Sequence, residues 1–123
     1  MHIKNIMVVD DNPLNSNLAS IILSRAGHSV QVFTGASEAL RYLEKNRVDV
    51  VLSDVGMRDM SGKEFCRLIK SGGNAATPRM VAYTAFAMAE ELSSIMAAGF
   101  DAIVVKPATR SQILAALDPV CSP

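Results

Sequence analysis

Neither sign of charge is in excess: twelve Lys and Arg residues balance twelve Asp and Glu. Without a basic field there is nothing to recruit a nucleic acid. No apolar run is long enough for a membrane span, and no secretory leader is legible, so direct membrane insertion is not expected. The two cysteines, Cys66 and Cys121, lack metal-ligand spacing and are expected to be free thiols in a reducing cytoplasm. Dinucleotide and Walker fingerprints are both missing, which leaves nucleotide binding little support. No internal repeat, low-complexity tract or interdomain linker interrupts the chain. What is present is a half-apolar sequence whose length fits one domain, residues 1–123, with 1–2 and 119–123 expected to fray. A chain of this size buries roughly two thirds of its unfolded surface and folds without staples.

Short apolar runs alternate with helical patterns. Ile3 to Val9, Val48 to Ser53 and Ala102 to Val105 are continuous rather than alternating, as in strands buried on both faces; Val30 to Phe33 and Arg79 to Tyr83 supply two more. The intervening patterns of roughly 10 to 15 residues have the spacing of right-handed parallel crossovers. Asn12-Pro13 reads as a cap with proline in the first turn, Ser61-Gly62-Lys63-Glu64 as a capping box, and Gly27 as the end of the first helix. Glu90 and Glu91 suit the start of the fourth helix. The stretch Ser71 to Pro78 is too polar and glycine-rich for helix.

This alternation places Asp10-Asp11, Asp54, Thr84 and Lys106 at the carboxyl ends of parallel strands, on one rim of one sheet. Three carboxylates at roughly 5 Å repel by about 3 kcal/mol per pair at an effective dielectric near 20, so such a rim calls for a hard divalent cation.

Val8-Val9-Asp10-Asp11-Asn12-Pro13, Leu52-Ser53-Asp54-Val55-Gly56-Met57, Met60-Ser61-Gly62, Tyr83-Thr84-Ala85 and Val105-Lys106-Pro107 together resemble the receiver domain of two-component response regulators. The likeness covers essentially the whole chain, in the right order and spacing. It implies a doubly wound, flavodoxin-like α/β fold: a five-stranded parallel sheet in the order 2-1-3-4-5 with helices on both faces. It further implies that Asp54 is the phosphoacceptor and that Asp11, Asp54 and the carbonyl of Gly56 hold Mg²⁺ directly. Asp10 would act through a bound water, while Thr84 and Lys106 would hold phosphoryl oxygens. A cis Lys106-Pro107 bond is also implied, turning the ammonium into the pocket.

The residue types suit that chemistry. A carboxylate attacking phosphorus meets negative oxygens, so catalysis rests on positioning and charge neutralisation. Three aspartates and one lysine leave a formal −2, which one Mg²⁺ cancels. The donor in such systems is a phosphohistidine on a histidine kinase or histidine phosphotransfer protein. The run Asp11 to Asn15 is similar to receivers fused to hybrid histidine kinases; a free-standing regulator acting by partner binding is the alternative. A haloacid-dehalogenase-like phosphatase would need an Asp-x-Asp arrangement after the first strand, which is not there. A phosphorylation-independent pseudo-receiver is disfavoured by the complete pocket set.

Some positions depart from the family's usual pattern. Arg58 stands where proline is usual, adding a cation at the pocket mouth, and Ile103 occupies the place of a commonly aromatic, toggling residue. Phe86, with no side chain at Gly56, is expected to slow hydrolysis of an aspartyl phosphate. His28 is expected to be exposed, and Cys66 to pack in the core. The first helix has no charged residue from Asn12 to Ser24; Leu18, Ala19, Ile22 and Ala26 are expected on the sheet, leaving Leu14 and Ile21 as an apolar ridge for a partner helix.

Overall fold

A computed structural model describes residues 3–72, 77–85 and 88–118; Phe86, His2, Cys121, residues 73–76 and both chain ends lie outside the described residues. The elements run β1 (Asn5–Val9), α1 (Pro13–Arg25), β2 (Ser29–Phe33), α2 (Ala36–Lys45), β3 (Val50–Ser53), α3 (Gly62–Ser71), β4 (Arg79–Thr84), α4 (Ala89–Ala97), β5 (Ala102–Val105) and α5 (Arg110–Ala115). The strands form one parallel sheet in the order β2-β1-β3-β4-β5, as the sequence reading expects.

Burial follows the strand period of two. Met7, Val9, Val51, Met80 and Ala82 point into one core with Ala39 of α2, Phe65 of α3 and Ile95 of α4. Ile6, Val8, Val50, Leu52, Val81 and Tyr83 point into the other, with Ala19 and Leu23 of α1 and Ile113 of α5. Central strands β1, β3 and β4 are therefore covered on both faces, which is why they read as unbroken apolar runs. Each large side chain so buried contributes about 1.5–3 kcal/mol of transfer free energy, Phe65 and Leu23 among them.

The helix starts are fixed locally. Asn12 accepts from the Leu14 amide at 3.0 Å ahead of Pro13, and Ser61 Oγ accepts from Glu64 N at 3.2 Å. A reciprocal capping box, not read from the sequence, joins Thr109 and Gln112 at α5. Gly27 adopts φ of 99°, a left-handed conformation that lets the chain leave α1 at once. Ser71 is helical, its hydroxyl bonded to Leu68 O, so α3 runs one residue into the stretch read as loop.

Two expectations are corrected. Leu18 is 51% exposed, whereas Leu23 and Ser16 are buried beside Ala19. Apolar side chains cover more than half of the circumference of α1, from Ile21 round to Leu23, so bulk cannot reveal which part of that arc turns inward. Ser16 can be buried because its hydroxyl donates to Pro13 O at 3.2 Å, satisfying itself within the helix. His28 is half-buried rather than exposed: its Nδ1 accepts from the backbone amide of Lys4 at 3.1 Å, tying the α1–β2 turn to the start of β1.

Candidate functional site

The carboxyl edge of the sheet is assembled by extending its own hydrogen bonds one residue past each strand. Asp10 N donates to Phe33 O at 3.1 Å, Asp54 N to Val9 O at 2.8 Å, and Lys106 N to Thr84 O at 2.8 Å. Backbone pairing thus sets Asp10 beside Asp54, because β1 and β3 are neighbours, and carries Lys106 alongside from β5. The switch point of this strand order, between β1 and β3, is where open α/β sheets place their ligands.

Carboxylate oxygens of Asp10, Asp11 and Asp54 lie within 4.8 Å of one another. Asp10 is only 1% exposed; its Oδ1 accepts from Asn12 N at 2.9 Å and its Oδ2 faces Lys106 Nζ at 2.9 Å. The same ammonium is 3.6 Å from Asp54 Oδ1, which also accepts from Val55 N at 2.9 Å. Lys106 in turn lies over the Tyr83 ring, 4.8 Å from its centroid. Burial pushes the Tyr83 phenol up, with Lys106 pulling it down and Asp10 adding to the rise. Thr84 is buried at the end of β4, and Gly56 is exposed two residues beyond Asp54. The Lys106-Pro107 bond is cis, as expected.

The donor set fits a hard divalent ion: all three carboxylates present oxygen, they converge, and one part-buried ammonium offsets only part of their charge. Oxygen ligands with no thiolate or imidazole among them favour Mg²⁺, Ca²⁺ or Mn²⁺ over softer metals.

Three features of this edge had weak or no sequence signals. Arg58 donates its backbone N–H to Asp11 Oδ2 at 3.2 Å. Asp59 reaches across to α2, whose cap residue Gly35 has no side chain, and accepts from Ala36 N at 3.3 Å and Ser37 N at 2.9 Å. The Ser37 amide is the main reason the Asp59 carboxyl titrates below its ordinary range. Gly62 packs flat against the backbone of Asp54 and Val55, its amide donating to Val55 O at 2.8 Å. Cys66 is buried as expected, and burial pushes its thiol up to about 11, which removes it from reactive chemistry.

Residues 6–118 match the response regulator receiver domain family, and the chain belongs to that family. It is 38% identical over 104 residues to the sensor histidine kinase RcsC of Salmonella typhimurium, a match covering 85% of this chain and 11% of RcsC. It is 31% identical over 114 residues to the CAI-1 autoinducer sensor kinase/phosphatase CqsS of Vibrio cholerae, covering 92% of this chain and 17% of that protein. The chain therefore spans a small fraction of the length of these relatives. Among solved structures, the chemotaxis response regulator CheY4 of Vibrio cholerae superposes with a TM-score of 0.87 at 28% identity, over 94% of this chain and 97% of CheY4. Receiver domains bind Mg²⁺ at an acidic pocket, and those of hybrid kinases work with histidine kinase or phosphotransfer partners.

Proposed function

We propose that this receiver takes a phosphoryl group from a phosphohistidine onto Asp54, as the receiver segment of a hybrid histidine kinase. The observation that carries the reading is the convergence of Asp10, Asp11 and Asp54 beside the Lys106 ammonium in a chain similar to the receiver part of RcsC. Asp11, Asp54 and the Gly56 carbonyl would hold Mg²⁺, with Asp10 acting through water; the ion supplies the positive charge that lets a phosphoryl group approach.

The chain's own residues do the rest. The nucleophile is a carboxylate oxygen of Asp54, a side chain held by Val55 N at 2.9 Å on Oδ1 and faced by Lys106 at 3.6 Å. It forms a bond to phosphorus as the phosphorus–nitrogen bond breaks, and the electron pair returns to the imidazole of the donor. Lys106 and Thr84 hold the oxygens of the transferred group, Lys106 exchanging a carboxylate partner for a phosphoryl oxygen.

Leu14, Leu18 and Ile21 form the docking ridge. They are 80%, 51% and 50% exposed and lie at i, i+4 and i+7 on α1, which starts directly after Asp11. An amphipathic helix of a histidine phosphotransfer protein can lay its apolar face there and bring its imidazole to Asp54. Among the described residues no helix is long and apolar enough to cross a membrane, and we place the domain in the cytoplasm. The second reading is a free-standing regulator acting by partner binding, which the likeness to the chemotaxis response regulator CheY4 supports. A kinase core encoded upstream in the same reading frame decides for the first.

The test is phosphotransfer from a radiolabelled histidine phosphotransfer protein. Label moves to the wild-type chain in Mg²⁺ and not to Asp54→Asn; retention of label by the donor with both chains would refute the proposal.

A further inference from the structure

Among the described residues, Lys106 and Arg58 divide the carboxylates of the acidic cluster between them. Lys106 faces Asp10 at 2.9 Å and Asp54 at 3.6 Å. Asp11 is served from the other side, by the loop after β3: Arg58 places its backbone N–H 3.2 Å and its guanidinium Nε 3.9 Å from the same oxygen, Asp11 Oδ2. The Arg58 side chain is otherwise 96% exposed, so little else fixes it there.

We propose that Arg58 is a resident counter-charge for Asp11 that competes with the divalent ion and so sets the metal affinity of this receiver. The inference rests on the reading of the cluster as a metal site. An ion that takes up Asp11 meets a carboxylate whose Oδ2 already accepts from an amide, a donation that lowers its basicity. It also brings two positive charges close to a guanidinium.

The two contributions respond differently to salt. A nearly fully exposed guanidinium acts through water and is screened over a Debye length of about 10 Å at 0.1 M, so its effect fades at high ionic strength. The amide bond is short-ranged and persists. Arg58→Ala removes the charge and keeps the N–H, whereas Arg58→Pro removes both. Arg58→Glu reverses the charge and adds a carboxylate at the pocket mouth.

The experiment is titration with MgCl₂ by isothermal calorimetry at low and high ionic strength, each variant first shown to melt cooperatively. The chain contains no tryptophan, so calorimetry replaces intrinsic indole fluorescence. At low salt, Arg58→Ala is expected to bind Mg²⁺ about two- to five-fold more tightly than wild type, and Arg58→Glu more tightly still. At high salt the Ala gain shrinks, while that of Arg58→Pro falls only to the part due to the missing amide. If wild type binds Mg²⁺ and Arg58→Ala and Arg58→Glu bind it no more tightly, the role given to Arg58 is overturned while the metal site stands. If wild type binds no Mg²⁺ at millimolar concentration, the metal site itself falls and this inference with it.

Discussion

Lys106 Nζ lies 2.9 Å from Asp10 Oδ2, a contact between residues 96 apart in sequence, at a carboxylate that is 1% exposed. Removing one partner of such a pair strands the other charge. Lys106→Met is expected to lower stability by about 3 kcal/mol in Mg²⁺-free buffer, and Mg²⁺ to restore part of it by supplying a cation to the same carboxylates. Urea unfolding with and without the metal checks both parts, and unchanged stability would contradict the pairing.

Gly62 is a matter of space. A Cβ there would come within 2.7 Å of Val55 Cα and would overlap the Asp54 carbonyl oxygen, backbone that has no rotamer to retreat into. Gly62→Ala should cost about 1–3 kcal/mol and impair phosphorylation by displacing Asp54. Gly72→Ala, whose nearest neighbour is Ile69 O at 3.4 Å, serves as the tolerated control in the same unfolding assay.

Asp59 acts as a cap supplied from outside its helix. Because its carboxyl is held below the ordinary 3.8, mainly by the Ser37 amide, the charged form is favoured by folding. The stabilisation is therefore full above the unfolded value and lost as pH falls through the lowered folded one. Asp59→Ala should cost about 0.5–1 kcal/mol at pH 7, and the gap between variant and wild type should close in acid. A gap that is constant from pH 7 to pH 3 would exclude the cap.

The α1 ridge predicts a split between donors. Leu18→Asp or Ile21→Asp should weaken transfer from a histidine phosphotransfer protein at least ten-fold, about 1.4 kcal/mol, while sparing phosphorylation by acetyl phosphate. Equal losses with both donors would indicate damage to the fold, and no loss with the protein donor would place docking elsewhere.

The sheet was legible because its central strands are covered on both faces, which writes burial into the sequence as unbroken apolar runs at Met7, Val51 and Val81. Asp10, Asp54, Thr84 and Lys106 could be placed on one edge of the sheet because each follows or ends an apolar run, and the resemblance implied roles for them. Leu18 was misread because the apolar arc of α1 spans more than half of the helix, so periodicity did not separate it from Leu23. Asp59 gave no signal, since its partners Ala36 and Ser37 lie more than twenty residues upstream and only folding sets them beside it. Arg58 was visible as a cation at the pocket mouth, but its backbone donation to Asp11 depends on the path of the loop.

The central claim is that Asp54 accepts the phosphoryl group. Incubation with acetyl phosphate and Mg²⁺, followed by intact-mass measurement and peptide mapping, tests it without any protein partner. The account predicts a single added phosphoryl group located on Asp54 and none on Asp54→Asn. Phosphate mapped to another residue, or equal incorporation by Asp54→Asn, would contradict it.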